Sequence, residues 1–184
     1  MEISAFDTLP IDARLTGDLR SDHAGEVGAV EIYRGMLAVG RSSELRAFAS
    51  EHLAAEMRHR QFFDGWLPRE HQSRLLWLWR AAGWLLGALS ALLGMRAACR
   101  TVAAVETFVE GHYLEQVQAI GDEPELRPLR DRLDQFCREE AEHRRDAAQW
   151  LSRNGATKAG RRRSLWSAIV AGGSAVGVAI ARRI

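Results

Sequence analysis

EMRH at residues 56–59 and EAEH at residues 140–143 spell one pattern twice, a Glu and a His separated by two residues. On a helix, residues three apart share a face about 60° apart in rotation, so both side chains of a pair can reach one point. A lone Glu precedes each pair: Glu26 lies thirty residues before Glu56, and Glu106 thirty-four before Glu140. Four carboxylates and two imidazoles on four helices make the ligand set of a di-iron carboxylate site inside a helix bundle. Glu26, Glu56, His59, Glu106, Glu140 and His143 are therefore the candidate metal ligands.

Distances from the turns support this choice. The break at Gly40-Arg41-Ser42-Ser43 separates two helical patterns, with Glu26 and Glu56 each about 15 residues from its centre. In an antiparallel pair that places both at one height. Glu31 would miss the level by roughly five residues, about 7 Å at 1.5 Å per residue. The second hairpin turns around Glu123, seventeen residues after Glu106 and seventeen before Glu140. Glu110 sits four residues nearer that turn and fits less well. A single Glu-x-x-His is common on solvated helices, whereas two hairpins with the same arrangement are not. Carboxylates can bridge two irons and offset their charge, and imidazoles bind Fe(II) without adding anions. Structural zinc prefers thiolate-rich tetrahedra, so iron or manganese suits the set better.

Outward from these residues the apolar spacing is helical nearly throughout. It predicts helices over about 18–40, from 43 to just before Pro68, 75–93, 95–120, 125–153 and 165–180, with Ser21 and Asp22 as candidate caps of the first. The expected fold is all-α, a ferritin-like four-helix bundle with two additional apolar helices. Residues 1–184 would form one domain, with the bundle at about 18–67 and 95–153 and membrane-associating helices at about 75–94 and 165–181.

The segment 75–94, LLWLWRAAGWLLGALSALLG, is long enough to span a bilayer but contains Arg80. Trp77, Trp79 and Trp84 are residues that settle at a lipid–water boundary. The shorter segment 165–181 is Gly-rich and flanked by Arg, including Arg161, Arg162 and Arg163. Interfacial attachment explains both segments better than a span or a purely internal packing role. With 25 Lys and Arg against 24 Asp and Glu, the charge balance argues against nucleic-acid partners. Cys99 and Cys137 are widely separated and read as small reduced core residues. Residues 1–16 lack the apolar run of a secretory signal, so a peripheral position on the cytoplasmic side of the cell membrane is expected.

The stretches LRSDHAGEVGAVEIYRG (19–35), EMRHRQFF (56–63), LWLWRAAGWLLGALSALLG (76–94), VAAVETFVEGHY (102–113) and CREEAEHRRD (137–146) closely resemble the demethoxyubiquinone hydroxylase family. That family comprises di-iron monooxygenases of ubiquinone biosynthesis. Carried over residue by residue, its iron ligands fall on the six residues above. The resemblance implies hydroxylation of the benzoquinol ring of a polyprenylated precursor with O2, using two iron ions per chain. It also implies partners among the bilayer lipids and the other proteins of ubiquinone biosynthesis.

His112 and Tyr113 match a His-Tyr pair that faces the quinone, and Arg20 matches a basic residue that meets the reductant or quinone. His112 is about 120° around the helix from Glu106, which argues against a direct metal bond. Some relatives carry Arg and Tyr for a nicotinamide donor near their end; here residues 172–183 read GGSAVGVAIARR. No GxGxxG follows a strand, so no dinucleotide domain is expected, and the electrons are expected from the quinol itself, a weakly bound NADH or a partner. Two rivals share the helices: a ferritin-like iron oxidase or peroxidase without organic substrate, and a non-enzymatic membrane adaptor.

Overall fold

The computed structural model of the chain describes residues 5–154 and 165–184; Arg161, Arg162 and Arg163 lie outside the described residues. Its helices are α1 (Ala5–Thr8), α2 (Ala13–Val39), α3 (Ser43–Trp66), α4 (Leu76–Leu92), α5 (Met95–Ile120), α6 (Arg127–Arg153) and α7 (Leu165–Ala181). Single 3-10 turns at Arg69–His71 and Pro124–Leu126 precede α4 and α6, and no strand occurs among the described residues. The fold is all-α: a ferritin-like bundle of α2, α3, α5 and α6, with α4 and α7 as the two additional apolar helices.

Local chemistry sets both hairpin turns. The Gly40 N–H closes α2 on Met36 O at 2.7 Å, and Ser42 Oγ caps α3 by accepting the Leu45 N–H at 3.1 Å. At the second turn Gly121 has φ 59°, a region glycine enters without steric cost, and Pro124 follows. The start of α2 differs from the sequence expectation. Its N-cap is Asp12, whose Oδ1 accepts the Leu15 N–H at 2.7 Å. Ser21 and Asp22 lie inside the helix and are buried. Apolar periodicity fades across residues 13–18, so the cap rather than the pattern decides where α2 begins.

The bundle core has two apolar clusters separated by a polar layer. One contains Leu19, Phe63, Tyr113, Leu133 and Phe136; the other contains Tyr33, Met36, Ala49, Cys99 and Ala147. Glu26, Glu56, Glu106 and Glu140 fall between them in every helix. Burying four carboxylates in one layer is costly without compensating partners, so this layer demands an explanation.

α4 lies against α2 at backbone distance. A Cβ on Gly83 would stand 2.3 Å from Gly28 O, and one on Gly87 only 1.8 Å from Ile32 O. The opposite side of α4 is exposed and apolar, with Trp77, Leu85, Leu92 and Leu93 all more than half accessible. Val176 on α7 is similarly exposed. No described helix is long and apolar enough to cross a membrane.

Candidate metal centre

The polar layer resolves into two donor sets. Glu26, Glu56, His59 and Glu140 form one; Glu56, Glu106, Glu140 and His143 form the other. Within each set, one donor atom per residue lies within 4.8 Å of all the others, and every residue is buried. Glu56 and Glu140 belong to both sets and stand between the two positions. The six residues singled out by spacing are thus brought together, from α2, α3, α5 and α6. Glu31 and Glu110 are not: Glu31 accepts from Arg34 at 2.7 Å, and Glu110 from Arg144 at 2.7 Å.

The donor atoms fit a pair of cations better than they fit each other. Glu26 Oε2, Glu56 Oε1, His59 Nδ1 and Glu140 Oε1 are buried without an aligned hydrogen bond. Yet His59 Nδ1 is only 2.9 Å from Glu140 Oε1, and His143 Nδ1 only 3.1 Å from Glu56 Oε1. The His59 contact is close but misaligned, as expected for lone pairs aimed at a common point. His143 Nδ1 instead makes an aligned bond to Glu140 Oε2 at 3.1 Å and leaves Glu56 Oε1 unpaired. Oxygen-rich donors with two imidazoles suit iron or manganese.

Without metal the layer holds protons instead. Burial lifts Glu26 and Glu106 well above the usual carboxylate range and raises Glu56, and neighbouring carboxylates add to the effect. Glu140 goes the other way, down to about 2, because the His143 hydrogen bond and the close His59 imidazole overcome its burial. His59 and His143 rise to about 10, since the surrounding carboxylates outweigh the desolvation that would lower them. Cations entering the layer would displace these protons.

An internal repeat supports the carboxylates. Tyr33 lies seven residues after Glu26, and Tyr113 seven after Glu106. Each crosses to the other helix: Tyr33 O–H donates to Glu106 Oε1 at 3.1 Å, and Tyr113 O–H to Glu26 Oε1 at 2.5 Å. Tyr33 escaped the sequence reading, although the twice-used Glu-x6-Tyr spacing was visible. Glu139 also escaped it. Its Oε2 accepts the His59 Nε2–H at 2.7 Å, and nothing in a Glu-Glu pair announces a contact with another helix. His52 is the third omission; its ring meets His143 edge-on at 4.5 Å, and burial lowers its pKa to about 4.

Against this layer lies a cavity of about 320 Å³ bounded by α2, α4, α5 and α7. Glu26, Glu56, Glu106 and Glu140 line it at one side, while Trp79, Leu86, Phe108 and Val178 supply apolar wall. Its polar end holds Ser21, Asp22 and His112. His112 Nε2 is 3.0 Å from Ser21 Oγ and 3.1 Å from Asp22 Oδ1, and Gln116 donates to the same Asp22 oxygen at 2.8 Å. His112 therefore faces the cavity, and Tyr113 both lines it and holds Glu26. Arg20 stands elsewhere: its guanidinium donates to His71 O at 2.7 Å and Arg182 O at 3.2 Å. Those bonds tie α2 to the segments before α4 and after α7.

Comparison with known proteins fits this geometry. Residues 13–181 match the family described as Ubiquinone biosynthesis protein COQ7. The chain is 41% identical over 178 residues to the 3-demethoxyubiquinol 3-hydroxylase of Rhodospirillum rubrum, covering 89% of this chain and 83% of that protein. It is 34% identical over 128 residues to the mitochondrial NADPH-dependent 3-demethoxyubiquinone 3-hydroxylase of Dictyostelium discoideum. It is 32% identical over 142 residues to the mitochondrial 5-demethoxyubiquinone hydroxylase of Saccharomyces cerevisiae. Those alignments take in 68% of this chain in each case, and 59% and 61% of the mitochondrial proteins, less than two thirds of their length. The two buried donor sets and the cavity beside them are thus the centre of a chain that belongs to the COQ7 family of ubiquinone biosynthesis proteins.

Proposed function

We propose that this protein is a demethoxyubiquinone hydroxylase, a monooxygenase that places a hydroxyl group from O2 on the benzoquinol ring of a polyprenylated ubiquinone precursor. The observation that carries the reading is the cavity: four carboxylates of a metal-ready layer open into an apolar space with one polar end. An iron oxidase needs no such space. Glu26, Glu56, His59 and Glu140 would hold one iron, and Glu56, Glu106, Glu140 and His143 a second. Such a pair supplies the activation of O2.

The chain itself supplies position and dryness. His112, held at Nε2 by Ser21 and Asp22 and at Nδ1 by Arg182, fixes the polar end of the cavity against which an oxygen of the ring would dock. The Trp79 indole N–H is buried without a partner and offers a donor for a ring oxygen. Apolar side chains of α4, α5 and α7 surround the ring and exclude water from it. The isoprenoid tail would leave toward the exposed apolar side of α4 and α7. That side rests on the bilayer from the cytoplasmic side, with Trp77 and Trp84 at the lipid boundary.

Residues 1–184 act as one unit, in which α4 and α7 join the bundle to the lipid. The name of the Dictyostelium relative includes NADPH dependence; here the electrons come from a nicotinamide donor or from the quinol. Further proteins of ubiquinone biosynthesis are expected partners.

Quinone profiling by mass spectrometry in cells lacking the gene tests this function. Demethoxyubiquinone should accumulate, disappear on complementation and persist with Glu140→Ala. Unchanged quinones would overturn the assignment. So would oxygen consumption by Fe(II)-loaded protein that is indifferent to added quinol, which is the behaviour of an iron oxidase.

A further inference from the structure

The two donor sets are equal in composition: each has one terminal Glu, one His and the shared Glu56 and Glu140. Their surroundings follow the same internal symmetry. Phe136, four residues before Glu140, packs on His59 at 4.3 Å between ring centroids. His52, four residues before Glu56, packs on His143 at 4.5 Å. The tyrosine pair repeats the relation.

One outer position breaks it in a way that matters for ligation. Glu139, directly before Glu140, accepts the His59 Nε2–H at 2.7 Å and is itself steadied by Gln135 Nε2 at 2.7 Å. The corresponding residue before Glu56 is Ala55, which has no acceptor to offer. Among the described residues, no side chain receives a hydrogen bond from His143 Nε2.

A neutral imidazole has one N–H and one lone pair, and whichever nitrogen is bonded as donor fixes where the lone pair points. The Glu139 bond commits His59 to offering Nδ1, the atom nearest Glu140, Glu26 and Glu56. The carboxylate also makes the imidazole a more basic ligand, and outer partners of this kind are worth roughly 10–100-fold in metal affinity. His143 must find the same tautomer unaided.

We propose that Glu139 is a positioning residue that makes the His59 half of the centre the tighter half, so that the first metal ion loads there. This rests on the metal-binding part of the proposed function and is independent of the substrate.

The test is a titration of metal-free, full-length protein with Co(II), read by visible absorption and calorimetry. The wild type should bind two ions in two steps differing at least tenfold. Glu139→Ala should weaken the first step by about 10–100-fold and the second by less than twofold, so that the steps merge. Glu139→Gln, which keeps an acceptor oxygen, should restore part of the difference. His143→Ala should retain the tight step and His59→Ala should lose it. Glu139 is 26% exposed, so an unchanged circular-dichroism melt of the Ala variant separates ligation from folding.

Two indistinguishable steps in the wild type would overturn the inequality while leaving the metal site standing. Equal weakening of both steps, or of neither, in Glu139→Ala would overturn the role of Glu139. A wild type that binds no Co(II) would end this inference and the metal-binding reading together.

Discussion

Gly87→Ala should separate packing from propensity sharply. The added Cβ would lie 1.8 Å from Ile32 O, 2.7 Å from Ile32 C and 2.9 Å from Ile32 Cα, where ordinary contact begins near 3.4 Å. The shortfall to the oxygen is about 1.6 Å, and all three obstacles are helix backbone that cannot rotate aside. α4 must therefore lift off α2. Overpacking of this kind costs up to about 3 kcal/mol, and Ala returns at most about 1 kcal/mol of helix propensity. A net loss of about 2 kcal/mol in a protein of this size lowers Tm by roughly 4–8 °C.

Gly111→Ala is the control. Gly111 is an exposed position inside α5 with nothing within 4 Å of an added Cβ, so the same substitution should raise Tm by roughly 2–4 °C. Thermal melts by circular dichroism under one buffer condition read both. Because α4 also carries Trp79, Gly83 and Leu86 of the cavity wall, Gly87→Ala should weaken quinone binding, measured by fluorescence quenching, while Gly111→Ala should not. If Gly87→Ala melts at or above the wild type, the close helix approach is wrong.

Three shorter predictions follow. Tyr33→Phe removes the donor to Glu106 Oε1 and should cost the metal-free protein roughly 1–3 kcal/mol by urea denaturation; an unchanged midpoint would refute the bond's contribution. His52, held down to about 4 by burial and by His143, stays neutral in the fold while the unfolded chain protonates near 6.5. Its contribution is thus complete above pH 6.5 and declines as pH falls toward 4, by about 3 kcal/mol in all; in His52→Phe that part of the pH dependence should vanish from chemical-denaturation curves. Cys99 is fully buried with its thiol pushed up to about 12, so Ellman's reagent at pH 8 should leave it unmodified until the protein unfolds.

Much of this molecule is legible in its sequence. Turn-to-ligand distances chose Glu26 over Glu31 and Glu106 over Glu110 because two antiparallel helices convert sequence distance into height. Helix ends marked by Gly40, Pro68 and Gly121 were equally plain, since each carries its own backbone chemistry. The start of α2 was not, because Asp12 caps a turn with little apolar pattern. Contacts between helices were hardest: Glu139 to His59 and Asp22 to His112 depend on how helices are rotated against one another, which spacing along a single helix does not encode. Tyr33 lies between these cases, visible as a repeat but without meaning until its partner across the bundle was known.

The matched hairpins carry a consequence for how such a centre could have arisen. A two-fold assembly of identical hairpins would place this polar layer on its symmetry axis, and whatever stood before one Glu-x-x-His would stand before the other. Position 139 could then never be Glu while position 55 was Ala. Joining both hairpins in one chain lifts that constraint, so the copies can diverge one residue at a time around an unchanged set of ligands. The linker that joins them is α4, so the segment that frees the halves from identity is also one wall of the cavity.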